Sequence, residues 1–99
     1  MEEERERFFS RLATIPGIRP MPSIGSWILL QVEKPADLAR KVNRRLEPGT
    51  VSVPRHVPDA VRVPVRDPKA NEVLFQCLRD LRHAATRELQ KSEQKLSLN

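Results

Sequence analysis

Few residues in this chain combine a type and a spacing that could do chemistry. The most informative run is Arg62 to Asn71. Arg62 lies inside a short hydrophobic stretch, Val61-Arg62-Val63-Pro64-Val65. Asp67-Pro68 then opens a helix with Asn71 in its first turn. A cation within an apolar strand is costly unless it is paired or reaches an exposed end. Its planar fork of donors suits a carboxylate, which it can grip through two parallel hydrogen bonds. The plainer reading is an outward-facing residue on a half-exposed sheet.

The other reactive side chains point to less. Cys77 is the single cysteine, so no internal disulfide can form, and Leu74, Leu78 and Leu81 place it on an apolar helix face as a buried thiol. A nucleophilic thiol would want a basic neighbour, which the local sequence does not supply. His56 and His83 are isolated from each other and from Cys77, so no metal site is expected. Ser26 follows Gly25 with no candidate base and reads as a turn hydroxyl. The three glycines sit beside turns, and none forms a phosphate-binding loop. The chain is therefore expected to hold no catalytic residues, cofactor or metal by itself.

Composition narrows the class. A length of 99 residues, 38% hydrophobic and 31% charged, suits one globular domain. The longest apolar run is Trp27 to Leu30, far short of the roughly 20 residues that span a bilayer. The start, Glu2-Glu3-Glu4, reverses the charge of a secretory signal, so a cytoplasmic location is expected, with no membrane partner. The net charge of +5 and pI of about 10.1 raise the question of nucleic acid. The cations are spread along the chain, aromatics are only 4% and tyrosine is absent, so a base-stacking platform is not expected. A non-catalytic basic binding or interaction module, for nucleic acid or a protein partner, remains the alternative; polyanion binding needs Arg40, Lys41, Arg44 and Arg45 to form one patch.

The elements that would position Arg62 follow from periodicity. Residues 3–14 predict a helix with Phe8, Phe9, Leu12 and Ile15 on one face, stopped by Pro16-Gly17. Residues 18–23 read as an edge strand limited by two prolines, Ile24-Gly25-Ser26 as a turn, and 27–32 as a strand buried on both faces. Lys34-Pro35-Ala36-Asp37 starts a second helix with Leu38, Ala39, Val42 and Leu46 inward, ended by Pro48-Gly49. Strands are expected at 50–53 and 61–65, then a helix from Asp67-Pro68 to about Leu89 with Val73, Leu74, Cys77, Leu78 and Leu81 inward. Together these predict an α/β (α+β) two-layer domain over residues 1–89, a small mixed sheet of about four strands covered by three helices. Residues 90–99 are polar and expected to form a frayed or disordered tail.

The pattern resembles the C-terminal small domain of fold-type I pyridoxal-phosphate aminotransferases. The nearest group is histidinol-phosphate aminotransferase and the threonine-phosphate decarboxylase of cobalamin synthesis. The resemblance covers about residues 3–82. It is carried by Arg11-Leu12 through Ile15-Pro16-Gly17, by Pro22-Ser23 and Ser26-Trp27 before Ile28-Leu29-Leu30-Gln31-Val32, by Ala36-Asp37-Leu38-Ala39, and above all by Arg62 to Asn71. In that last stretch Pro64 stands for a small polar residue, Arg66 for a glycine, and Lys69-Ala70 for acidic residues. The resemblance implies that Arg62 grips a substrate carboxylate. It further implies that this is the closing domain of an enzyme of amino-acid biosynthesis. That enzyme would exchange an amino group between an amino acid and a 2-oxo acid. The Schiff-base lysine, the aspartate facing the pyridine nitrogen and the phosphate cup would belong to a large domain, and none of Lys34, Lys41, Lys69, Lys91 or Lys95 lies in the family's lysine motif. The implied partners are that large domain, the substrate and a second copy in a homodimer. Pyridoxal 5'-phosphate is implied in the complete enzyme alone.

Overall fold

A computed structural model describes residues 2–22, 25–57 and 59–97. Met1, Ser23, Ile24, Pro58, Leu98 and Asn99 lie outside the described residues, as do the side chains of Glu2 and of residues 85–97, among them Lys91, Lys95 and Leu96. The order is α1 (Glu2–Leu12), β1 (Arg19–Met21), β2 (Trp27–Gln31), α2 (Pro35–Arg45), β3 (Ala60–Pro64) and α3 (Pro68–Ser97).

α1 forms because Phe8 and Leu12, one helical turn apart, both reach the core and are essentially inaccessible. Ile15 joins them from the turn that follows. The chain reverses at Gly17, whose φ is +80°, and the Arg82 guanidinium packs so close there that a Cβ would collide with it. Arg82 also donates from Nε to the Pro16 carbonyl at 3.1 Å, tying this turn to α3.

The three strands pair antiparallel in the order β1-β2-β3. Leu29 lies between Met21 on β1 and Arg62 on β3, while Leu30 lies between Pro20 and Val61. Alternation along the strands sends Ile28 and Leu30 of β2, with Val61 and Val63 of β3, into the core, where all four have no exposed surface. Leu38 and Val42 of α2 and Leu74 and Leu78 of α3 meet them there. The domain is thus a two-layer α/β unit, with three helices against a three-stranded antiparallel sheet.

Several features differ from the expectations above. The fourth strand, 50–53, is reduced to one bridge, with Arg62 N–H donating to the Ser52 carbonyl at 2.7 Å and Ser52 N–H returning the bond at 3.2 Å. The Asn43 side chain has already taken both backbone groups of Val51, each at 2.8 Å, and Pro54 offers no donor. The sheet is antiparallel rather than mixed, because α2 and the return segment through Ser52 bring the chain back to the Gln31 end, where Ala60 starts β3. β2 is buried on one face only: Trp27 and Leu29 are half-buried and Gln31 is exposed. Finally, Val73 is 50% exposed, on the flank of α3 rather than its inner stripe.

α3 begins as its sequence demands, with the Asp67 carboxylate accepting from Ala70 N–H at 2.8 Å and Pro68 in the first helical position. It continues through 90–97, past the point near Leu89 expected as its end. No described helix is long and apolar enough to cross a membrane.

Candidate functional site

Among the described residues no helix covers the second face of the sheet, where Met21, Trp27 and Leu29 are half-buried. Register places Met21, Leu29, Arg62 and Ser52 in one row across it, with Trp27 and Pro64 in the next. Arg62 is exposed there. Its Nε donates to the Ser52 hydroxyl at 3.2 Å, and its guanidinium carbon lies 5.3 Å from the centre of the Trp27 ring. Both contacts are with neutral partners. They hold the guanidinium without cancelling its charge, and no carboxylate pairs with it among the described residues. Ser52 engages Nε, and the Arg62 side chain is otherwise exposed.

The surrounding backbone is held from several sides. Val65 N–H donates to the Ser26 carbonyl at 2.7 Å, closing the end of β3 on β2. Arg5 of α1 donates to the carbonyls of Gly25 and Trp27 and secures the turn that carries the indole. Asn71, only 1% exposed, binds Arg66 twice: its Oδ1 accepts from Arg66 N–H at 2.8 Å and its Nδ2 donates to the Arg66 carbonyl at 2.9 Å. The same Nδ2 reaches Glu4 at 2.8 Å. Glu4 also takes both Nε and Nη2 of Arg7, and these bonds, with Asn71 next, hold its carboxyl below the ordinary value of 4.5.

The sequence identifies Arg62, Trp27 and Asn71 as notable, and the fold assigns the first two to one surface and the third to its support. Ser52, Asn43 and Glu4 were not singled out. Their roles depend on pairings between distant segments, whereas Asn71, in the first turn after the Asp67-Pro68 helix start, clamps the loop just before it.

The remaining candidates are not brought together. Burial pushes the Cys77 thiol up, against an opposing pull from Arg45 and with Asp80 reinforcing it, so the thiolate is disfavoured. His56 and His83 are exposed, and no cluster with metal-ligating potential occurs among the described residues. Ser26 is an exposed turn residue. On α2, Arg40, Lys41 and Arg44 face outward, but Asp37 sits among them and pairs with both Arg40 and Lys41, which dilutes the patch. Lys41, at 3.1 Å, is the main cause of the lowered Asp37 pKa. Arg45 instead lines a hollow beside α3.

A cofactor lysine must be enclosed and lose its charge readily. Lys34 and Lys69 are exposed and Lys41 is ion-paired, so the described lysines do not fit a Schiff base with pyridoxal phosphate. No protein-family model matches the chain, and no curated protein matches it either, so the site has to be read from its own chemistry.

Proposed function

We propose that this chain is the small, substrate-clamping domain of a fold-type I pyridoxal-phosphate aminotransferase, inactive alone and completed by a large domain. One observation carries the reading: Arg62 presents a guanidinium fork with no acidic partner among the described residues, on a sheet face that the domain's own helices leave uncovered. The resemblance of residues 62–71 gives that fork its role, the capture of an amino-acid or 2-oxo-acid carboxylate.

Pyridoxal phosphate, bound by the large domain, would supply the electron sink for amino-group transfer. This chain's residues would do the positioning. Ser52 and Trp27 fix the plane of the Arg62 guanidinium, so less side-chain freedom is lost when the carboxylate arrives. Closure of the uncovered face, with Trp27, Leu29 and Met21, over the substrate would exclude water and strengthen the charge pair. The same reading puts the enzyme in the cytoplasm, in amino-acid biosynthesis, as a homodimer.

The test is kinetic, in the assembled enzyme. Arg62→Ala should lower kcat/KM for carboxylate substrates by about a hundredfold or more, about 3 kcal/mol. Arg62→Lys should recover part of it, because it restores the charge but not the fork. Amines lacking the carboxylate should react equally with all three proteins. Unchanged kinetics for Arg62→Ala would remove the clamp.

A further inference from the structure

A trough runs along the domain where α2 ends against α3. It consists of one hollow of about 360 Å³, between the end of α2, the end of β3 and the first turns of α3, and another of about 540 Å³ that follows α3. Both are lined by Arg45, Leu46 and Val73, so they adjoin. These dimensions are in the range of small-molecule sites.

Its walls have two characters. Leu46, Pro64, Val73 and Leu74 make the first hollow apolar, and Cys77 extends that surface into the second. Val73, half exposed on α3, borders both. An apolar side chain on a concave wall is surface still to be dried. Arg45 and Arg66 both line the first hollow, and neither forms an ion pair among the described residues. Glu47 is the one acid in that lining; the second hollow carries Lys69, Asp80 and Glu72, of which Glu72 is engaged by Arg11 at 2.9 Å.

The frame is built before any ligand arrives. Asn71 holds the Arg66 backbone by both its N–H and its carbonyl. Asn43 holds Val51 in the same way, next to Thr50 in the lining. Sites on fixed backbones give up little entropy on binding.

We propose that this trough binds an elongated organic acid, its carboxylate between Arg45 and Arg66 and its apolar chain along Leu46, Val73 and Cys77. A bare anion would satisfy the arginines and leave the floor wet. A neutral hydrocarbon would dry the floor and leave two cations facing it. An amphipathic acid answers both: Arg45 and Arg66 meet in the first hollow, and Leu46 and Val73, shared by both hollows, lead to Cys77 in the second.

The experiment titrates octanoate into the isotope-labelled full chain and follows backbone amide shifts, with inorganic phosphate and octanol as comparison probes. Saturable octanoate shifts are expected at Arg45, Leu46, Arg66, Val73 and Cys77, with phosphate and octanol at least about tenfold weaker, a difference of about 1.4 kcal/mol. Arg45→Gln and Arg66→Gln should each weaken octanoate by about tenfold. Both residues are exposed, so the fold should survive the change. Val73→Asp, also at an exposed position, should weaken octanoate by a similar factor. Phosphate binding as tightly as octanoate would overturn the proposal, as would shifts scattered over the outward face of α2 or octanoate affinity unaltered by all three substitutions.

Discussion

Asn71 shows how one side chain can organise a site it does not enter. With 1% of its surface exposed, it satisfies both backbone groups of Arg66 and still reaches Glu4 on α1. A loop between strand and helix would otherwise bury unpaired polar groups, each costing about 1–3 kcal/mol. Glu4 is the far end of this network and titrates. Its carboxyl lies below its ordinary 4.5 through hydrogen bonds from Arg7 and then Asn71. A carboxyl depressed in the folded state adds stability above its unfolded value, and loses it as pH falls through the folded value. Wild type should therefore be more stable than Glu4→Gln at neutral pH, and the gap should close as pH falls below about 4.5. Thermal unfolding of both proteins from pH 7 downward measures it. A gap that stays constant into acid would rule out the linkage. At this scale the sequence exposed the oddity of Arg62 but not its neighbours. Ser52 and Trp27 reach it across strand pairings separated by long stretches of chain, and no local pattern encodes them.

At the scale of elements, local chemistry predicted most of the order. Apolar spacing marked α1 through Phe8 and Leu12, and Asp67-Pro68 marked the start of α3. The Asp67 carboxylate caps Ala70 N–H at 2.8 Å. Asp67→Ala should cost about 1 kcal/mol, which for a domain of this size lowers Tm by about 4–8 °C. Calorimetry gives the value, and an unchanged Tm would mean that the cap bond is replaced by water without loss. Two of the failures share one cause: hydrophobicity reports what a residue is, not what covers it. The run from Trp27 to Leu30 read as doubly buried because nothing local says that one sheet face lacks a helix. Val73 read as core because its apolar side chain borders a trough rather than a wall. The segment 50–53 read as a strand, but Asn43 takes the backbone groups of Val51 that a ladder would need.

The whole molecule is asymmetric in a way that bears on its role. One sheet face is sealed by three helices around a continuous core. The other holds half-buried Met21, Trp27 and Leu29 around the exposed Arg62. Such a face is suited to close on something larger, and a clamp needs a second jaw. The net charge of +5 does not by itself supply one, because Asp37 engages two of the outward cations on α2. We propose accordingly that this domain works joined or bound to a pyridoxal-phosphate-binding large domain. Recovery of the native polypeptide from its source cell with an antibody against this domain, followed by mass measurement and an amino-transfer assay, tests it most directly. A chain or complex several times heavier than 11.4 kDa is expected, with transfer activity that depends on pyridoxal phosphate. Recovery of an 11.4 kDa chain with neither a large-domain partner nor that activity would contradict it.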